Sequence, residues 1–357
     1  MTKTNINTDN LWDSRIKEFE IDPSWKDHPV YKTEEYKDYR KKWSEATQGK
    51  LVTDFPLNIE LEPTYYCNLK CPACPRYTSD LLVRDSRHMK DEIWNNILKE
   101  IKENKLPSMQ MDHEAESLMH PKFFKYLEDT KKAGLLETWL HSNGMMVNEK
   151  NAKKLIDFGI KKMNFSIDAA SEKTYEILRV GGKYTKVVKN ILNFLKIKKE
   201  MKASYLRVRV SFVEQKENFS EKKAFFDFWS KQEGINVITF QRCLNFKNFE
   251  KPDDDTNLTE TELEEKYKGE KPFFCNAPWE TPIIQEDGKV SPCGMPVRPH
   301  NKDFFIGDLS KGDTIKECWN GKKMKNLRNK HKNNEWYKEN MCRVCVKITR
   351  TSQHEDF

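Results

Sequence analysis

The chain has 357 residues, 37% of them hydrophobic, enough for one large domain with attachments or for two domains around a sizeable core. Lys and Arg outnumber Asp and Glu by 63 to 56, but they are spread through amphipathic stretches such as "NILNFLKIKKEMK". With no homeodomain, zinc-finger or RNA-recognition signature, that balance argues a solvated surface, or attraction of an anionic substrate, over nucleic-acid binding.

Residues 1–55 are polar and rich in Trp, Tyr and Lys, and read as an N-terminal extension with short helices wrapped on the main body. The first residues lack the apolar core of a signal peptide, and no run of about 18 apolar residues offers a membrane span. A cytoplasmic protein is expected, and in a reducing compartment nine cysteines suggest metal ligands or reactive thiols rather than disulfides.

From Pro56 the pattern becomes strands alternating with helices. "LNIELEPT" (57–64) predicts a strand and "DEIWNNILKEIKEN" (91–104) a helix. "SMQMD" (108–112) predicts a short strand, and "PKFFKYLEDTKKAG" (121–134) a helix framed by Pro and Gly. Strands follow at 138–144, 162–169, 204–213 and 236–243, with helices in "NEKNAKKLIDFG", "SEKTYEILR", "YTKVVKNILNFLKIKKEM" and "SEKKAFFDFWSKQEG". Six alternating units over 56–245 argue an α/β fold with a parallel sheet, as a partial barrel or a flat doubly wound sheet. Either places the site at the C-terminal ends of the strands. Residues 246–274 read as a charged linker with one short helix, 275–346 as a second cysteine-bearing unit, and 347–357 as a polar tail.

Two cysteine constellations carry the chemistry. Cys67, Cys71 and Cys74 form C-x3-C-x2-C directly after the first strand. Structural zinc prefers four ligands and disulfides an even count, so three thiols are an odd set for either. A cubane cluster uses four thiolates, and three in one short loop leave one iron open. A zinc site or scattered buried thiols is the alternative. The second set, Cys275, Cys293, Cys342 and Cys345, reads C-x12-G-x4-C and then C-x2-C, with Gly288 as the internal glycine. Its residues alone allow structural zinc or an iron–sulfur cluster.

The triple motif after the first strand of a six-unit β/α domain resembles the radical S-adenosylmethionine enzymes. That resemblance implies a partial (β/α)6 TIM-like barrel and a [4Fe-4S] cluster on Cys67, Cys71 and Cys74. Its open iron chelates the amine and carboxylate of S-adenosylmethionine, and one electron releases a 5′-deoxyadenosyl radical. It also implies an electron donor such as flavodoxin or ferredoxin. The family's aromatic residue before the third cysteine is Ala73 here. "HEAESLMHPKFF" places Glu114-Ala115-Glu116-Ser117 where the family has Gly-Gly-Glu-Pro, retaining only Glu116. "HSNG" resembles the family's Thr-Asn-Gly turn, with Ser142 and Asn143 near the cofactor. "NFSIDAA" resembles a family strand whose Ser166 and Asp168 face the ribose or the substrate, and "RVGGKY" a recurrent loop with Gly181 and Gly182.

Arg207, Arg209 and Ser211 share one strand face by alternation. Facing inward, Arg209 would lie near the cofactor carboxylate or an anionic substrate; facing outward, the row would be salt-bridged. The second cysteine set resembles the opening of SPASM and twitch domains; the extra C-x2-C-x5-C-x3-C run of SPASM is missing and four cysteines hold only one auxiliary [4Fe-4S] cluster, so the resemblance implies the twitch type. Cys243, at the end of the sixth strand, is either a hydrogen-atom donor to a substrate radical or a buried thiol. Cys318 reads as a buried structural thiol. The function expected is hydrogen abstraction from a small polar, carbohydrate-like or anionic substrate, in a dehydrogenation or epimerisation. The alternatives are radical modification of a ribosomal peptide and a non-catalytic zinc-binding module.

Overall fold

The computed structural model describes residues 16–77, 87–244, 255, 257–270, 272–295 and 299–351. The start of the extension (1–15), most of the first half of the linker (245–254) and the end of the tail (352–357) lie outside the described residues. In chain order the strands are β1 (Ile16–Glu20), β2 (Asn58–Leu61), β3 (Ser108–Gln110), β4 (Glu137–Ser142), β5 (Lys162–Ser166), β6 (Arg207–Glu214) and β7 (Val237–Arg242), then β8 (Ile283–Ile284), β9 (Lys289–Ser291) and β10 (Gly307–Asp308). The helices are α1 (Glu34–Thr47), α2 (Asp91–Glu103), α3 (Phe123–Lys132), α4 (Glu149–Asp157), α5 (Glu172–Leu178), α6 (Tyr184–Glu200), α7 (Lys222–Trp229), α8 (Glu260–Lys266), α9 (Ala277–Glu280), α10 (Ile315–Asn320), α11 (Lys322–Lys332) and α12 (Asn340–Thr351).

The six predicted strands are β2 to β7. They lie side by side in chain order and each pairs in parallel with the next. A doubly wound sheet would reverse direction at a switch point; this one winds one way, as a partial barrel does. Alternation explains the layering. Met109, Leu140, Met163, Val208 and Val210 are buried in the core cluster with Ile93 and Ile97 of α2, Leu155 of α4, and Val187 and Ile191 of α6. The opposite face carries His141, Asn164 and Arg209, which are register partners across β4, β5 and β6. The inward reading of the Arg207–Arg209–Ser211 row is therefore the one the fold adopts.

The extension contains a strand as well as helices. β1 pairs antiparallel with β7 and forms one edge of the sheet. "IKEFE" has too little apolar patterning to announce this, since its partner lies more than 200 residues away. The segment also closes the base of the barrel. Glu137, Lys162 and Arg207 open β4, β5 and β6, and Glu137 accepts from Tyr36 Oη (2.6 Å) and Lys162 Nζ (2.7 Å) while Arg207 meets Glu18 (2.8 Å). On the other edge β8 pairs in parallel with β2, and β9 and β10 follow antiparallel, so the second cysteine unit extends the same sheet. α12 runs past Cys345 to Thr351, where a polar tail was expected from 347, because Val346 and Ile348 bury its inner face.

Beyond β3, His120 is buried; Nδ1 accepts from Lys122 N (3.1 Å) and Nε2 lies 3.4 Å from the Met89 carbonyl. Burial pushes this imidazole down to about 4. The unfolded chain takes up its proton first, near the ordinary 6.5. The stability it contributes is full above that pH and is lost as pH falls toward 4. A loss of roughly 3 kcal/mol over that window is expected from this group. In urea titrations at stepped pH, His120→Asn should flatten the slope; an unchanged slope would exclude His120 as its source.

Candidate functional site

The first cysteine loop leaves the C-terminal end of β2 and is pinned at several points. Lys70 N donates to Val180 O (2.8 Å), Glu116 N to Tyr66 O (3.1 Å), and Asn143 Nδ2 to Asn68 Oδ1 (2.8 Å). Gly181 makes one approach possible: its φ is +92°, and a Cβ there would lie 3.2 Å from the Asn68 carbonyl. The three thiols line a cavity of about 150 Å³ that Glu116, Ser142, Asn143 and Ser166 also line.

Cys275 before α9, Cys293 after β9, and Cys342 and Cys345 one turn apart on α12 line a second cavity, of about 330 Å³. Gly288 sits at φ +91° in the β8–β9 turn, where a Cβ would come within 2.9 Å of Ser310 N. The glycine of C-x12-G-x4-C is thus a steric requirement. All nine cysteines are free of disulfides. Burial raises the Cys74, Cys275 and Cys293 thiols to about 12. Deprotonating thiols at such depth calls for positive charge beside them, which cluster iron supplies. Among the described residues no three His, Cys, Asp or Glu side chains converge as the ligands of one metal ion would. In each set the thiols line one cavity, a donor set that fits an iron–sulfur cluster. Cys318 is buried beside Gly307, away from both sets, as a structural thiol would be.

Glu116 ties two strand ends together. It is buried, accepts from Ser142 Oγ and Asn143 N (both 2.9 Å), and burial pushes its carboxyl up to about 7 despite those bonds. The retained glutamate of the altered Gly-Gly-Glu-Pro segment therefore shapes the Ser-Asn-Gly turn. Asp168 adopts a left-handed φ of +62° at the end of β5. Its Oδ1 accepts from Val213 N (2.8 Å), and Oδ2 pairs with Arg179, whose guanidinium also reaches the Cys71 sulfur at 3.8 Å.

Arg209 meets the cavity through another residue. It is an inward guanidinium that burial and the Arg207 charge lower to about 10, so it remains a cation at neutral pH. Its Nη2 lies 2.8 Å from His141 Nε2. Arginine can only donate, so Nε2 accepts; Nδ1 then carries the proton toward Asp112 Oδ2 at 3.1 Å. His141 and Asp112 line the first cavity, whereas Arg209 stands behind them.

Cys243 follows β7 and lines a third cavity, of about 330 Å³, with Cys71, Cys74, Asp168, Arg179 and Arg242. Sequence reasoning missed Arg179 and His141. Arg179 had a faint signal, two residues ahead of the Gly181-Gly182 pair. His141 had another, a polar residue alternating with buried Leu140.

A model of the radical SAM superfamily matches residues 61–206, and one of the SPASM iron–sulfur cluster-binding domain matches 275–346. A probable GTP 3′,8-cyclase of Methanococcus maripaludis strain C5 is 27% identical over 201 residues, 55% of this chain and 61% of that protein. The match thus spans about three fifths of that relative. Among solved structures, anSMEcpe with bound AdoMet superposes at TM-score 0.58 and 18% identity, over 85% of this chain and 92% of that one. SuiB of Streptococcus suis bound to S-adenosylmethionine gives 0.54 and 16%, over 82% and 72%. BtrN with AdoMet and 2-DOIA gives 0.50 and 14%, over 82% and 93%. At these identities the likeness shows the fold alone.

Proposed function

Because the chain belongs to the radical S-adenosylmethionine superfamily and carries a SPASM-type iron–sulfur domain, we propose that it abstracts hydrogen from a small polar, carbohydrate-like substrate, in a dehydrogenation or an epimerisation. When bound, the first cluster supplies reductive cleavage of S-adenosylmethionine to a 5′-deoxyadenosyl radical, and the second supplies electron exchange. Cys67, Cys71 and Cys74 would hold the first; Cys275, Cys293, Cys342 and Cys345 the second. Glu116, Ser142, Asn143 and Ser166, which line the first cavity with Arg179, would contact S-adenosylmethionine there, while Asp168, the partner of Arg179, faces the third cavity. Arg209, held through His141, orients that wall from behind.

The observation that carries the substrate reading is the third cavity. It has Arg179, Arg242, Gln215 and Gln241 for polar recognition, and Cys243 shares it with Cys71 and Cys74. A thiol there is placed to return a hydrogen atom to a substrate radical, which supports epimerisation. Turnover of Cys243→Ala in deuterated water checks this: deuterium uptake at the substrate carbon should be lost. Unchanged product and unchanged uptake would remove Cys243 as the donor. A peptide substrate is less favoured. The described part of the extension is spent on the sheet edge and the barrel base rather than on a separate peptide-binding unit.

A further inference from the structure

The second thiol cavity has a neighbour that the cysteine pattern does not announce. His331, in the last turn of α11, is 3% exposed and lines that cavity with all four cysteines. Its Nε2 lies 3.4 Å from the Cys342 sulfur. The ring is fixed by packing: Phe273 meets it edge-on at 6.0 Å, and Trp336 meets Phe273 at 5.8 Å. α11 and α12 are joined through the turn that carries Trp336, so the imidazole and the thiol are set by one rigid corner.

A thiolate that holds iron can only accept a hydrogen bond, so a nitrogen at this distance must present its proton. A donor to a ligating sulfur draws electron density from it and stabilises the reduced, more negative cluster. We propose that His331 is a positioning residue of the second cluster, donating Nε2–H to the Cys342 sulfur and raising that cluster's reduction potential. Carboxylates act in the opposite sense: Glu280 lines the same cavity, and Glu339, one turn before Cys342, is partly compensated by Lys330 at 3.0 Å. A raised potential makes the second centre the better electron acceptor, the property that the dehydrogenation branch of the proposed function requires. The inference rests on the assignment of Cys275, Cys293, Cys342 and Cys345 as the ligands.

The test uses full-length protein in which Cys67, Cys71 and Cys74 are Ala, so that the second cluster is observed alone. Reductive titration followed by electron paramagnetic resonance compares this parent with His331→Leu and His331→Gln. The leucine variant should show a lower midpoint, with the reduced-to-oxidised ratio at fixed potential falling about tenfold, or ~59 mV for one electron. Glutamine, which restores an N–H near Nε2, should recover part of the shift. Equal midpoints in parent and leucine variant overturn the proposal. Where leucine costs the cluster itself, the parent grown with 15N-histidine decides: pulsed resonance should show a weak 15N coupling through the hydrogen bond. No coupling, or the strong coupling of a direct iron ligand, overturns it. A parent without iron overturns the ligand assignment as well, an outcome distinct from retained iron with an unchanged potential.

Discussion

Replacing Cys67, Cys71 and Cys74 together by Ala is expected to leave about four irons per chain and to abolish 5′-deoxyadenosine formation. The two thiol sets stand on different supports. The first occupies a loop after β2 that is tied to β3, β4 and the Gly181 loop. The second is built from the α9 end, the β9 end and one turn of α12. Their cavities share no cysteine, so losing one should spare the other. The loss of S-adenosylmethionine cleavage should be complete, because no other described cysteine lines the first cavity. Iron and sulfide analysis with product chromatography checks both halves. A triple variant that still cleaves S-adenosylmethionine would place the radical-generating site elsewhere.

Arg179→Met should be the most damaging single change at the site. Arg179 and Asp168 are 15% and 5% exposed, so removing the guanidinium strands a buried carboxylate. Breaking such a pair from one side costs about 3–5 kcal/mol, well above the cost of an exposed pair. Asp168 cannot simply turn to water. Its φ is left-handed, its Oδ1 is engaged by Val213 N, and its carbonyl accepts from Asn218 Nδ2. The same arginine reaches Cys71, so affinity for S-adenosylmethionine should fall with stability. Adding Asp168→Asn should restore part of the loss, because the amide keeps an acceptor for Val213, tolerates the left-handed backbone and carries no charge. Urea unfolding of the single and double variants reads this directly. An Arg179→Met variant within about 1 kcal/mol of the parent would show that the pair is not the anchor described.

Much of the barrel was legible because both of its signals are local. The strands β2 to β7 alternate or run apolar, the helices between them repeat every three or four residues, and the cysteines fall where the first strand ends. The retained Glu116 and the Ser142-Asn143 turn could be placed by motif, and the fold joins them by hydrogen bonds. β1 was not legible: five residues with little patterning become a strand only by pairing with β7. The short strands β8 to β10 likewise exist through their partners. Alternation left Arg209 open to an inward or an outward, salt-bridged face, and the sequence could not show that the fold turns it inward with His141 and Asp112 between it and the cavity.

By itself the sequence determined the chemistry this chain can host. Three thiols in one short loop, followed by four more at C-x12-G-x4-C and C-x2-C, are the donors that two iron–sulfur clusters would need, although the fold must gather the second four from the α9 end, the β9 end and α12. Only the tertiary structure decided what surrounds them. Arg179 joins Asp168 and Cys71, Cys243 shares a cavity with Cys71 and Cys74, and His331 lies against Cys342, all across gaps that local periodicity does not encode. Such contacts arise when strand order and helix packing bring distant residues together in the water-poor interior. There the need to pair each buried charge and polar atom fixes their geometry.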